Sequence, residues 1–153
     1  GTAAGGGANL VLACDLVVAP ETSSFLQAFR RIGLQPDCGS SYLLPRLVGE
    51  ARARELALLG EPLPAAQALD WGLINRCVPD DRLLEEAEAL AGKLAAGPRL
   101  ALGLAKRALL LSAETPLPEQ LHLEARFQRD CVADPDFAEG LAAFREKRPP
   151  KFR

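Results

Sequence analysis

The chain has 153 residues, 48% of them hydrophobic and 25% charged, with a formal net charge of −2, a composition that suits one globular domain with a core of its own. Charges of both signs are interspersed, leaving no basic stripe for a phosphate backbone and no polybasic patch for anionic lipid, so nucleic acid and membrane surface are excluded as expected partners. Apolar stretches such as "ALGLAKRALLLSA" over 101–113 are broken by charge, well short of the roughly 20 residues a bilayer span requires.

The opening "GTAAGGGANLVLACD" runs from small or flexible residues, Gly1 to Gly7, straight into Leu10, Val11, Leu12 and Ala13. This predicts a short helix over 8–13 with a glycine run at its amino end, where a ligand can approach the main chain without meeting a β-carbon. The same run could be no more than a turn in front of a core helix. "LVVA" at 16–19 predicts a buried strand closed by Pro20, and "SSFLQ" a second short strand. "GLQPDCGSS", from Gly33 to Ser41, has the chemistry of a loop.

Helices are then expected over "ARARELALLG", stopping at Gly60, and "PAAQALDWG", starting at Pro64 and stopping at Gly72, with a strand in "LINRCV". Asp80 or Asp81 can cap a helix that buries Leu84, Ala87, Ala91 and Leu94 and turns Glu85, Glu86, Glu88 and Lys93 to water. Further helices are expected from Arg99 to Leu111, between Pro98 and Pro116, and from Leu117 to Cys131. In the last helix Asp134 is a good N-cap and Pro135 a good first residue, and Phe137, Leu141 and Phe144 share a face that must be covered.

The four cysteines, Cys14, Cys38, Cys77 and Cys131, form no Cys-x-x-Cys pair, and His122 is the sole histidine. They read as free thiols suited to a reducing cytoplasm, with no metal site, and His122 as a packing or surface residue. Methionine is absent and Gly1 comes first, so the sequence is expected to be a piece of a longer polypeptide.

Three stretches, "GTAAGGGANLVLACDLVVA", "IGLQPDCGSSYLLPRLVGEARARELALLGEPLPAAQALDWGLINRCV" and "FREKRPPKF", together resemble the carboxyl-terminal part of the crotonase superfamily, the enoyl-CoA hydratases and isomerases. The resemblance implies an α/β fold, the crotonase-like (ClpP/crotonase) spiral in part, with a carboxyl-terminal helical trimerisation region. It divides the chain into the end of the spiral core, 1–78, and a helical region for oligomerisation and CoA contact, 79–153. It further implies a CoA thioester as substrate with no separate cofactor, a homo-trimer or hexamer, and one of two oxyanion-hole amides lying in residues outside this chain.

A helix amino terminus carries amides without intrahelical partners and partial positive charge, which favours an anion such as a thioester enolate. By resemblance the Gly6 amide is the oxyanion donor, with Gly5 beside it at the substrate. The two positions where family hydratases carry glutamates hold Asn9 and Phe29, neither of which can take a proton from water. The remaining carboxylate is Asp37 in "QPDCGS", at a place where dienoyl-CoA isomerases and the epoxyphenylacetyl-CoA isomerases of phenylacetate degradation have an aspartate. The likeness is greatest to the latter group and implies a double-bond or ring-epoxide isomerase with Asp37 as proton shuttle.

For that work a carboxyl of ordinary pKa, ~3.9, needs apolar surroundings, for which Phe29, Leu34 and Leu26 are candidates. Asp37 could equally close an Asx turn. Asn9 and Gln27 could orient a ligand or a water, or satisfy backbone groups. Phe144 and Lys147 match a family position that holds the CoA nucleotide, and solvated charge and core packing are their alternatives. Two other functions stay open: a hydratase whose water is held by other groups, and a non-catalytic acyl-CoA-binding or assembly module.

Overall fold

A computed structural model describes residues 1–153. The chain forms two compact units, Gly1–Glu88 and Ala89–Arg153. Within the first, the Arg76 guanidinium pairs with Glu86 at 3.1 Å and ties the following helix back to its own strand.

In the first unit, β1 (Thr2–Ala4) runs into α1 (Gly6–Leu12), followed by β2 (Val18–Pro20) and β3 (Ser24–Leu26). β1 and β3 pair in parallel, with Ala3 opposite Phe25, and β3 pairs antiparallel with β4 (Leu63–Pro64). A second, two-stranded sheet joins β2 in parallel to β5 (Arg76–Val78). Three helices complete the unit: α2 (Ser40–Val48), α3 (Glu50–Leu59) and α4 (Ala65–Asp70). Leu12, Phe25, Leu44, Val48, Leu56 and Ile74 contribute to one continuous buried core drawn from both sheets and these helices.

Several expectations shift. The first helix begins at Gly6 and not at residue 8, taking two of the glycines into its first turn. The strand expected over 16–19 lies at Val18–Pro20, with Leu16 exposed, and Pro20 belongs to the strand because its partner Val78 sits at the end of the ladder. α2 has no counterpart in the sequence reading, because Pro45 lies inside it and proline usually breaks a helix interior. Burial of Leu44 and Val48 outweighs that penalty.

α5 (Leu83–Ala95) follows a 3-10 turn at Asp80–Arg82. Asp80 does not cap it, because its carboxylate accepts hydrogen bonds from the Thr22 hydroxyl and the Thr22 amide. The expected burial of α5 is also overturned. Leu84 is 69% and Leu94 45% exposed, whereas Glu86, placed on the wet side by its spacing, is half-buried between Arg76 and Arg82.

The second unit contains α6 (Arg99–Ser112), α7 (Leu117–Ala133) and α8 (Pro135–Glu146). The Asp134 carboxylate accepts from the Asp136 amide at 2.9 Å, the cap its sequence promised. Leu123 and Ala143 are buried, but the three helices leave an apolar groove of about 830 Å³ lined by Leu104, Leu121, Phe127, Phe137, Leu141 and Phe144, among others. The face of Phe137, Leu141 and Phe144 is therefore not covered within the chain, and Phe144 is 82% exposed. The tail folds back along α8. Arg148 grips Glu139 at 2.6 and 3.0 Å, and the Lys151 amide donates to the same carboxylate at 2.7 Å.

All four cysteines are free thiols, no helix is long and apolar enough to cross a membrane, and no three His, Cys, Asp or Glu side chains are grouped as metal ligands would be.

The tail has a calculable acid response. The Arg148 guanidinium first, and then the Lys151 amide, lower the Glu139 carboxyl from 4.5 to about 2. A depressed carboxyl stabilises the folded form fully above its unfolded pKa, and the contribution is lost as pH falls through the folded value. The Lys151 amide resonance in NMR should hold its position at pH 5 and shift toward that of a free tail as pH is lowered to about 2. In Glu139→Gln it should already be displaced at neutral pH and change little over that range.

Candidate active site

The turn from β1 into α1 depends on Gly5, which adopts φ 52° and ψ −127°, a conformation that side chains disfavour. Its amide donates to the Leu26 carbonyl of β3 at 2.8 Å. Gly6 is then the first helical residue, and its amide has no carbonyl one turn behind it to bond. No side chain caps the helix and its first turn holds no acidic residue. Of the two glycines, Gly5 has its amide held by the sheet, while the Gly6 amide lies in the uncapped first turn of the helix. Ala8 and Asn9, both 0% exposed, fix α1 from beneath.

Two other segments reach the helix tip. A β-carbon added at Gly5 would lie 3.7 Å from Phe29 Cζ, and one added at Gly6 would lie 3.3 Å from Cys38 Sγ. Phe29 sits in a 3-10 turn, Ala28–Ile32, with its ring buried. Cys38 and Gly39 turn the loop into α2 with φ 48° and 80°. The loop bearing Asp37 thus stands against the first turn of α1, although these segments are far apart in sequence.

Asp37 is held by its main chain. Its carbonyl accepts from the Ser40 amide at 3.0 Å and from Asn9 Nδ2 at 2.9 Å. Its side chain is exposed. The neighbouring Cys38 thiol is pushed above its ordinary 9.0, chiefly by its hydrogen bond to the Asp37 carboxylate, and so stays protonated. Of the apolar residues expected around Asp37, Leu26 and Phe29 are buried, but Leu34 is 56% exposed.

Asn9 and Gln27, which the sequence left either as ligand contacts or as partners of backbone groups, are both buried. Gln27 Nε2 donates to Asn9 Oδ1 at 2.8 Å, and Asn9 Nδ2 is engaged by the Asp37 carbonyl. Gln27 Oε1 and the Ser40 hydroxyl are buried without partners. Phe144 and Lys147 lie in the second unit, both exposed, with Lys147 ending α8 in a left-handed conformation at φ 55°. His122 is a surface residue of α7. Sequence reasoning passed over Cys38 as a neighbour of Gly6, for which its adjacency to Asp37 was the available signal.

The fold is crotonase-like in part, since solved enoyl-CoA hydratase structures superpose on the whole of this chain. The profile of "Enoyl-CoA hydratase/isomerase" matches residues 1–153. The chain belongs to the enoyl-CoA hydratase/isomerase family. It is 49% identical over 152 residues to a Rhodobacter capsulatus protein named "Probable enoyl-CoA hydratase", covering 99% of this chain and 59% of that one. It is 46% identical over 152 residues to the 1,2-epoxyphenylacetyl-CoA isomerase of Escherichia coli, covering 99% and 58%. The crystal structure of an enoyl-CoA hydratase from Polaromonas superposes with a TM-score of 0.95 at 37% identity, covering 100% of this chain and 60% of that one. The chain thus spans less than two thirds of the length of the relatives it matches.

The two tip glycines should respond differently to a methyl group. Gly5→Ala forces a side chain into a conformation costing about 1–3 kcal/mol, and urea denaturation should show a loss in that range. Gly6→Ala need only displace a thiol, and its stability loss should be the smaller of the two.

Proposed function

We propose that this chain carries the proton-transfer half of an acyl-CoA isomerase acting through a thioester enolate. The observation that carries the reading is the approach of the Asp37 loop to the tip of α1, where Cys38 Sγ meets Gly6. The Asp37 carboxylate takes a proton from the carbon next to the thioester, and the electron pair moves onto the carbonyl oxygen. The Gly6 amide donates to that oxygen, and protonated Asp37 returns the proton to a carbon further along the chain or ring. The step needs no separate cofactor.

Asn9 and Phe29 stand where hydratase chemistry would call for proton-transferring groups. One is an amide already bonded on both sides and the other a buried ring. This favours isomerase over hydratase. The relative named 1,2-epoxyphenylacetyl-CoA isomerase supports a ring-epoxide substrate, while the relative named as a hydratase supports water addition as the rival reading. Phe144 and Lys147 would hold the adenine and a phosphate of CoA, and the apolar groove of the second unit would serve subunit contact in a homo-trimer or hexamer. A cytoplasmic setting suits the four free thiols.

The test is exchange of the acyl-CoA α-hydrogen with deuterated solvent in the full-length protein. Asp37→Asn should lower the exchange rate by about 10²-fold or more, with acyl-CoA binding retained. Gly6→Pro deletes the amide at a helix position that accepts proline, and should lower kcat by about 10²–10³-fold. Undiminished exchange in Asp37→Asn removes it as the base. Formation of a 3-hydroxyacyl product from an enoyl-CoA selects the hydratase, and saturable binding without exchange or turnover selects a non-catalytic module.

A further inference from the structure

We infer that Asn9 and Gln27 are positioning residues, a two-amide relay that sets the Asp37 loop against the tip of α1. The inference rests on the proposed role of Asp37 and says what holds that residue in place. The segment from Gly33 to Gly39 has no regular structure, and its other backbone bonds are local: Gly33 to Arg30, Leu34 to Phe29, Ser40 to Asp37, and Tyr42 and Leu43 to Gly39. The bond from Asn9 Nδ2 to the Asp37 carbonyl joins it to an element 28 positions away. Asn9 is 0% exposed and sits in the same helical turn as Gly6, so one side chain registers the base loop to the oxyanion donor.

The direction of the relay is dictated by its acceptor. A backbone carbonyl can only accept, so Asn9 must present its NH₂ to Asp37 and its oxygen to Gln27. Gln27, 3% exposed, meets that oxygen with Nε2 at 2.8 Å. This leaves Gln27 Oε1 buried without a partner. A buried acceptor left unpaired is costly. The opposite setting of both amides would supply no donor to the Asp37 carbonyl. Gln27 therefore locks the Asn9 amide in the one orientation that holds the loop.

A displacement of about 1 Å at a reacting group can cost on the order of 10²-fold in rate. Asn9→Ala in the full-length protein should lower kcat for α-hydrogen exchange by about that factor, with KM for acyl-CoA nearly unchanged. Gln27→Leu should give a smaller fall in kcat. In the Asp37→Asn background, Asn9→Ala should cause no further loss, because it acts through the residue already removed. A crystal structure of Asn9→Ala should show the Asp37 carbonyl moved away from α1.

The inference is overturned if the carbonyl keeps its place in that structure. It is equally overturned if Asn9→Ala leaves kcat intact and lowers only the melting temperature, or if its loss is as large in Asp37→Asn as in the parent. Exchange that survives Asp37→Asn would refute the base assignment, and the crystal structure would still decide whether Asn9 sets the loop.

Discussion

The geometry of the site follows from the backbone of one residue. At Gly5 the chain leaves a strand and enters a helix within a single step, at a positive φ, while its amide is already held by the neighbouring strand. The hydrogen bond to Leu26 fixes where the helix begins, and the glycine conformation fixes the direction in which it leaves. The next amide, that of Gly6, is therefore in the first turn of the helix, with nothing in the helix to bond it. A side chain at either glycine would meet Phe29 or Cys38, so the small residues here also make room for the two segments that line the tip.

Secondary structure was legible where the signals are local. Asp134 and Pro135 announced the start of α8. Gly60 and Gly72 marked helix ends and do adopt φ 60° and 78° there. α2 was hidden because its local signal, Pro45, argues against a helix, while the burial of Leu44 and Val48 that sustains it is a tertiary fact. The polarity of α5 failed for a related reason. Spacing names an apolar stripe, but an ion pair with Arg76 decides which side of that helix the first unit uses.

The site divides along the same line. Glycine chemistry and the pattern around Asp37 picked out two segments, and the fold brings them together. The pattern could not say that Asn9 reaches across 28 positions to the Asp37 carbonyl, nor that Gln27 is enclosed with it. From the sequence both could orient a ligand or a water, or satisfy backbone groups. Asn9 has both ends of its amide engaged, while Gln27 is bonded through Nε2 alone. Phe144 and Lys147 remain exposed, which leaves them available to a ligand and assigns them none.

Proposed chemistry at the tip also sets a condition on its surroundings. In water, amide donors add little to the stabilisation of an enolate, because solvent already supplies such bonds. In a dry site of low dielectric they are worth several kcal/mol of barrier lowering. A carboxylate acting as base gains from the same exclusion, because desolvation raises its proton affinity. Asp37 and Cys38 are exposed in this chain, so the proposed reaction requires that further polypeptide or the bound acyl group cover them. Phe29 is already buried beside Gly5, and the Asn9 bond ties the Asp37 loop to α1 before any cover arrives.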